Sequence, residues 1–99
     1  MTRPVVLRLE AELEFSDASE WYERQRPGLG ADFIACVEET LERIADTPEL
    51  HGIILGNVRR AGVRRFPYSV YYTVEAERII VIAVLHGNRD PRIWQSRAL

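Results

Sequence analysis

The chain has 99 residues, of which 46% are hydrophobic and 28% are charged, and its formal net charge is −2. This length suits one domain over residues 1–99, and the balance of apolar and charged residues excludes a disordered tail. No apolar run approaches the ~20 residues that cross a bilayer, and no stretch before Glu10 suits a signal peptide, so no membrane association is expected.

The first half of the chain predicts a short strand and two helices. In residues 4 to 9 the side chains divide between two faces as in a strand, with Val5, Leu7 and Leu9 on one face. Residues 10 to 25 form a predicted helix whose apolar stripe consists of Ala11, Phe15, Ala18 and Tyr22. Pro27 and Gly28 break this helix. A second helix is predicted over residues 29 to 46, with an apolar stripe made of Phe33, Val37, Leu41 and Ile44.

The second half predicts three strands, after a loop over residues 49 to 56. Residues 58 to 66 form the first strand, and Pro67 marks a break because it cannot donate to a ladder. Residues 68 to 74 alternate clearly, and residues 79 to 86 are apolar on both faces, as in a central strand. Residues 89 to 99 are predicted to be an exposed tail. The predicted architecture is α+β, with a helical hairpin packed on a small sheet.

The charges separate along the chain, and every basic residue is an arginine. Residues 1–55 carry a net charge of −7, whereas residues 56–99 carry +5. Such a division suggests an anionic partner for the basic half. The alternative is that the helical half tolerates glutamate and the sheet half tolerates arginine, without any ligand.

The sequence lacks the residue patterns of several kinds of functional site. The two histidines, His51 and His86, stand at no metal-ligand spacing from each other or from Cys36. With one cysteine, no internal disulfide is expected, and a reducing cytoplasm is the expected location. Neither a phosphate-binding glycine loop nor a serine nucleophile elbow is present. We therefore expect no metal and no cofactor, and we interpret Cys36 as a packed thiol.

Cationic and aromatic residues interleave near the ends of the C-terminal strands. The cationic or protonatable residues are Arg64, Arg65, His86, Arg89 and Arg92, and the tyrosines are Tyr68, Tyr71 and Tyr72. Arginines bind phosphate and a histidine moves protons near neutrality, so these are the parts of a metal-independent ribonuclease. The alternative is that the tyrosines pack in the sheet and the arginines pair with helical glutamates. Trp94 either folds back on the sheet or is covered by a partner, and folding back is the prediction.

Three sequence segments together resemble the RelE/ParE toxin superfamily of type II toxin–antitoxin systems. They are Trp21-Tyr22-Glu23 followed by Pro27-Gly28-Leu29-Gly30, the run from Arg64 to Tyr72, and the strand end from Val84 to Pro91. The resemblance covers about residues 5 to 95. It implies a strand, a helical hairpin and then a three-stranded antiparallel meander, with the helices on one face of the sheet. It also implies a growth-inhibiting bacterial toxin that a cognate antitoxin protein neutralises.

The superfamily contains two kinds of toxin, and the resemblance leaves the target open. ParE-like members act on DNA gyrase without cleaving RNA, and the Trp-Tyr-Glu segment and the absence of lysine favour this side. RelE-like members cut mRNA on the ribosome; on that alternative the catalytic candidates are His86, Arg89, Arg65 and Arg64. A third alternative is a degenerate module that only binds an antitoxin. The predicted partner-binding residues are Arg64, Arg65, Tyr71, Arg89, Arg92 and Trp94, which an acidic antitoxin tail would cover.

Overall fold

Two long helices form the hairpin that the apolar spacing predicts. In the computed structural model, which describes residues 3–98, α1 spans Leu9–Gln25 and α2 spans Leu29–Asp46. α1 begins one residue before its predicted start, and α2 has its predicted bounds. Gly28 has a φ of +90°, in the left-handed region that glycine favours, and turns the chain between the helices. No helix within residues 3–98 is long and apolar enough to cross a membrane.

The close approach of the two helices depends on a carboxylate and a glycine. The Glu23 carboxylate of α1 accepts hydrogen bonds from the backbone N–H groups of Gly28 and Gly30, at 3.0 Å each. These N–H groups would otherwise be unpaired at the start of α2. A Cβ atom on Gly30 would lie 2.6 Å from the Ser19 carbonyl oxygen. Only glycine therefore allows α2 to begin this close to α1.

Five strands form one sheet in the order β1-β5-β4-β3-β2. The strands are β1 Val5–Leu7, β2 Ile53–Leu55, β3 Val58–Gly62, β4 Tyr68–Val74 and β5 Ile79–His86. β1 pairs parallel with β5, and the other pairs are antiparallel. The predicted meander is confirmed as β3-β4-β5, and β5 lies inside the sheet as its apolar faces predict.

Besides the start of α1, four predicted boundaries differ from the structure. β1 is shorter than residues 4 to 9, because Leu9 begins α1. The predicted loop over residues 49 to 56 contains β2, whose three residues are too few to show a period of two. β3 ends at Gly62 instead of residue 66, because the chain turns there and Arg65 takes a φ of +71°. The predicted exposed tail contains a short helix, α3, over Arg92–Gln95.

Apolar side chains bury both faces of the sheet. The face toward α1 and α2 packs against apolar residues of the helices. The largest buried side chains of this layer are Phe33 and Ile44 of α2, and Tyr72 and Ile79 of the sheet. The opposite face is covered by α3, whose Trp94 stacks on Tyr71 with the ring centroids 5.2 Å apart. The predicted return of Trp94 to the sheet is thus confirmed, and Trp94 is only 7% exposed.

Candidate functional site

A groove of about 570 Å³ lies between α1 and the C-terminal end of β5. α1 lines one wall, and the end of β5 with the turn before β4 lines the other. The lining residues are Glu14, Asp17, Ala18, Trp21, Tyr22, Pro67, Tyr68, Val84, Leu85, His86 and Arg89. This groove brings together the histidine and one arginine of the predicted site.

The α1 wall of the groove follows from helical spacing. Glu14, Asp17 and Trp21 stand at i, i+3 and i+7, so they project from one side of the helix. Ala18 is small and lies between them, which leaves the groove open above it. Trp21 keeps half of its surface exposed. Glu14 and Asp17 are not among the predicted site residues, although the sequence shows their helical spacing from Trp21.

Aromatic rings form the base of the groove. The Tyr22 ring lies 5.0 Å from Phe33 and 4.9 Å from Phe66, and the Tyr68 ring lies 5.0 Å from Phe33. Burial raises the pKa of Tyr22, and nearby Tyr68 raises it further. Burial also raises the pKa of Tyr68, against the opposing effect of Arg89. Both hydroxyls are therefore neutral at physiological pH and can both donate and accept hydrogen bonds.

His86 is held at the end of β5 by two contacts. Its ring lies 5.4 Å from the Tyr68 ring in an edge-to-face arrangement. Its Nδ1 accepts a hydrogen bond of 2.9 Å from the backbone N–H of Asn88. In the neutral ring this bond assigns the proton to Nε2. His86 therefore presents a donor at Nε2, and the lone pair that a general base needs is already engaged at Nδ1.

The predicted arginines separate into different places. Arg64 pairs with Glu39 of α2 at 3.0 Å, and Arg65 approaches Asp32 of α2 at 3.8 Å. Both belong to the turn between β3 and β4, which these pairs draw toward α2. Neither lines the groove, in contrast to Arg89.

Two further predicted residues, Arg92 and Tyr71, also lie away from the groove. Arg92, the first residue of α3, pairs with Asp90 of the preceding turn at 2.7 Å, and this exposed contact raises the pKa of Arg92 and lowers that of Asp90. Tyr71 is buried with Trp94 on the opposite face of the sheet. Tyr71 and Trp94 therefore present almost no surface to a partner in this fold.

Glu14, which lines the groove, forms an ion pair with Arg97 of the C-terminal tail. The sheet register shifts on β5 after Val81, and β1 reaches no further along that edge than Leu7. Beyond this point Glu14 Oε1 accepts a hydrogen bond from the Val84 N–H, and Arg97 donates to the Ile82 carbonyl. The two side chains join each other at 2.9 Å and are each less than one-fifth exposed. Glu14 and Arg97 thus provide hydrogen-bond partners for backbone groups of β5 at positions where β1 does not pair with it.

The acidic and basic halves of the chain meet in these contacts. In the described part of the chain, residues 3–98, three ion pairs join a carboxylate of α1 or α2 to an arginine of the second half, namely Arg64–Glu39, Arg65–Asp32 and Arg97–Glu14. Some acidic residues of the first half of the chain therefore pair with arginines of the second half within the molecule. Within residues 3–98, no group of three histidine, cysteine, aspartate or glutamate side chains is placed to hold a metal ion.

Comparison with known proteins gives one family and one type of fold. Residues 5–91 match the family described as the ParE toxin of type II toxin–antitoxin systems, parDE. A solved structure described as the chromosomal ParDE toxin–antitoxin system from P. aeruginosa has a TM-score of 0.65 and 12% sequence identity. That similarity covers 86% of this chain and 96% of the other. No curated protein matches the chain significantly in sequence. The family match ends before α3, so Trp94 and Arg97 lie outside it.

Proposed function

Because the chain belongs to the ParE toxin family of type II toxin–antitoxin systems, we propose that it inhibits bacterial growth by binding DNA gyrase, and that it cleaves no RNA. The groove between α1 and β5 is the proposed contact surface. A gyrase target places the protein in the cytoplasm. Its second partner is a cognate antitoxin protein.

The observation that carries this proposal is the set of side chains around His86. RNA cleavage at a phosphate needs a free base, a proton donor and several cations that stabilise the phosphate charge. Among the groove-lining residues of the described range 3–98, Arg89 is the one arginine beside His86, and Asp17 adds a carboxylate that repels a phosphate, whereas the charge of Glu14 is balanced by Arg97. The His86 Nδ1 lone pair is engaged by Asn88. This combination favours a protein contact over a phosphate site.

The aromatic character of the groove supports protein binding more directly. Trp21 is half exposed beside the partly buried rings of Tyr22 and Tyr68. Tryptophan and tyrosine are enriched among the residues that carry most of the binding energy in protein interfaces. Arg89 at the rim adds a charge that steers an acidic partner surface.

The antitoxin is proposed to cover the exposed arginines as well as the groove. Arg64, Arg65, Arg89 and Arg92 are all exposed, and the ion pairs that Arg64, Arg65 and Arg92 form within the molecule are of the solvent-exposed kind that contributes little to stability. Acidic antitoxin residues can therefore compete for these guanidinium groups. Tyr71 and Trp94 are buried between the sheet and α3. They therefore support antitoxin binding only by stabilising the fold.

The test compares two activities of the purified chain. We expect it to inhibit DNA supercoiling by gyrase and to leave ribosome-bound mRNA intact. Trp21→Ala should weaken gyrase inhibition about tenfold, as loss of an interface anchor does. The matched control is Leu13→Ala, which removes another half-exposed apolar side chain of α1 that does not line the groove.

The other outcomes each identify a different function. Cleavage of ribosome-bound mRNA that is lost in the double variant His86→Ala with Arg89→Ala would establish the RelE-like ribonuclease and reject the gyrase proposal. A folded chain that affects neither gyrase nor mRNA, yet binds its antitoxin, would establish the degenerate module. Equal losses in the Trp21 and Leu13 variants would reject the groove as the contact surface.

A further inference from the structure

A single hydrogen bond joins the two walls of the groove between α1 and β5. Within residues 3–98, it is the bond of 3.1 Å from the Val84 N–H to Glu14 Oε1. Beside it, Ala11 and Ala18 of α1 lie in the buried cluster that the helices share with the sheet. Apolar burial is non-directional, whereas a hydrogen bond weakens steeply when its angle changes. The bond to Val84 is therefore the contact that fixes how α1 is rotated relative to the β5 wall.

Glu14 keeps this position because Arg97 holds its carboxylate. A side chain that is only 19% exposed would turn its carboxylate toward water if it had no cation, since burying an unpaired charge is costly. Arg97 donates to both carboxylate oxygens of Glu14 and also to the Ile82 carbonyl of β5. The guanidinium thus fixes the carboxylate to the strand as well as to itself.

The tail that carries Arg97 is held on both sides. Trp94 is buried against the second face of the sheet, and its carbonyl accepts a hydrogen bond of 3.0 Å from the Arg97 N–H. From the other side, the Arg8 guanidinium donates to the Arg97 carbonyl at 3.2 Å. The Arg8 N–H itself donates to the Val81 carbonyl, where the pairing of β1 with β5 ends. Arg97 is therefore presented in one arrangement at the edge of β5 that Glu14 contacts.

The position of Glu14 affects the positions of the proposed contact residues. Trp21 lies seven residues further along α1, about 10 Å along the helix axis, so a rotation of α1 at Glu14 also moves the exposed Trp21 ring. On the other wall, His86 lies two residues beyond Val84 on the same strand. A binding surface needs its side chains held within about 0.5 Å and about 10–20° of the productive geometry. Loss of the contact between Glu14 and Val84 would therefore misalign Trp21 and His86 for a partner that touches both.

We propose that Arg97 is a positioning residue of the gyrase contact surface. It acts through Glu14: by holding the Glu14 carboxylate against Val84, it sets the angle between the two walls of the groove, and it does not line the groove itself. This inference rests on the proposed function. It gives the C-terminal tail, which lies beyond the family match over residues 5–91, a part in toxin activity besides covering the sheet.

A double-mutant cycle on the inhibition of gyrase supercoiling tests whether Arg97 acts through Glu14. Arg97→Ala should raise the concentration for half-inhibition about five- to tenfold, although Arg97 lies outside the groove lining. In the Glu14→Ala background the same substitution should add less than about twofold, because a residue that acts through Glu14 has no further effect once Glu14 is absent. Circular dichroism sets a temperature at which every variant is folded.

Val58→Ala is the matched control for a general loss of stability. It truncates a fully buried side chain of β3 that does not line the groove, so it destabilises the fold without changing the contact surface. Its half-inhibition should equal that of the wild-type chain. Arg97→Gln is a milder second variant, which keeps a donor for the Ile82 carbonyl but lacks the charge that Glu14 pairs with. It should weaken inhibition in the same direction as Arg97→Ala.

Amide hydrogen exchange provides a second measurement, which needs no gyrase. Arg97→Ala should speed exchange of the Val84 amide at least about tenfold, while the Leu85 amide, which faces β4, should change less. Val58→Ala should affect the two amides alike, because it acts on the stability of the whole fold. A selective change at Val84 would therefore report the loss of its contact with Glu14.

Four results would overturn the positioning role. They are an Arg97→Ala variant that inhibits gyrase as strongly as the wild-type chain, losses that multiply in the double variant, a Val58→Ala variant that is weakened as much as Arg97→Ala, and a Val84 amide that does not respond to Arg97. If the wild-type chain does not inhibit gyrase, the proposed function fails, whereas exchange at Val84 still decides whether Arg97 holds Glu14 in place.

Discussion

Glu14 of α1 and Arg97 of the C-terminal tail are 83 positions apart in sequence and form a two-point ion pair, with N–O distances of 3.0 and 2.9 Å. The pair lies against the part of β5 that β1 does not cover. It completes the hydrogen bonding of Val84 N–H and the Ile82 carbonyl. One interaction thus joins the first helix, the central strand and the tail that covers the second face of the sheet.

Arg97→Ala is expected to lower the free energy of unfolding by about 1–3 kcal/mol. The substitution leaves Glu14 without its cation and the Ile82 carbonyl without its donor, and both sites are largely shielded from water. Urea unfolding followed by circular dichroism measures the change. Arg78→Ala is the control, because its pair with Glu75 is half exposed and contributes under about 0.5 kcal/mol. Equal losses in the two variants would contradict the role given to Glu14 and Arg97.

Gly30→Ala is expected to destabilise the helical hairpin by about 1–3 kcal/mol. The added methyl group meets the Ser19 carbonyl at 2.6 Å, so α2 must move away from α1. The comparison is Gly62→Ala, where no atom lies within 4 Å of the added Cβ, and where the loss of chain entropy in the unfolded state makes the change neutral or slightly stabilising. Equilibrium unfolding of both variants measures the difference, and a neutral Gly30→Ala would show that the helices separate easily.

Trp94→Ala is expected to cost about 2–4 kcal/mol, although Trp94 lies in a helix of four residues. The substitution removes the ring that stacks on Tyr71 and uncovers the second face of the sheet. Trp21→Ala should cost under about 0.5 kcal/mol, because Trp21 is half exposed. Tryptophan fluorescence adds a second measurement: the Trp21→Ala variant, which retains Trp94, should emit at shorter wavelength than the Trp94→Ala variant. If Trp94→Ala lowers the free energy of unfolding no more than Trp21→Ala does, α3 does not stabilise the second face of the sheet.

The stability of the fold is expected to decrease as the pH falls from about 7 to about 5, in part through His51. Burial, followed by the charges of Arg43 and Arg59, lowers the pKa of His51 below its ordinary 6.5. Below pH 6.5 the unfolded chain therefore binds more protons at this position than the folded chain, and acid favours unfolding. His51→Gln should lose less stability over the same range. Urea unfolding at a series of pH values measures both proteins, and identical slopes would contradict this assignment.

Periodic apolar spacing determined most of the secondary structure. Phe33, Val37, Leu41 and Ile44 define one side of α2 over about three turns, and the predicted bounds of that helix agree with the structure. The alternation in β4 and the apolar run of β5 were equally informative, because a long pattern repeats its signal many times. β2 was missed because three residues between two glycines contain no repeat.

The candidate site depended more heavily on tertiary structure. The sequence located His86 and Arg89 at the end of a strand, and the structure keeps them together in the groove. It was the packing of α2 against the β3–β4 turn that separated Arg64 and Arg65 from them, through Glu39 and Asp32. Tyr71 and Tyr72 are adjacent in sequence, yet they face opposite layers because side chains alternate along a strand.

The sequence by itself determined the hairpin, the three long strands of the sheet, the division of charge and the return of Trp94 to the sheet. These properties arise from the local spacing and composition of residues, which can be read from each segment of the sequence alone. The tertiary structure alone decided that Glu14 meets Arg97, that Trp21 and His86 share one groove and that β2 closes the outer edge of the sheet. Such contacts join residues far apart in the chain. They depend on how the helices and strands pack together, and the sequence of one segment does not contain that information.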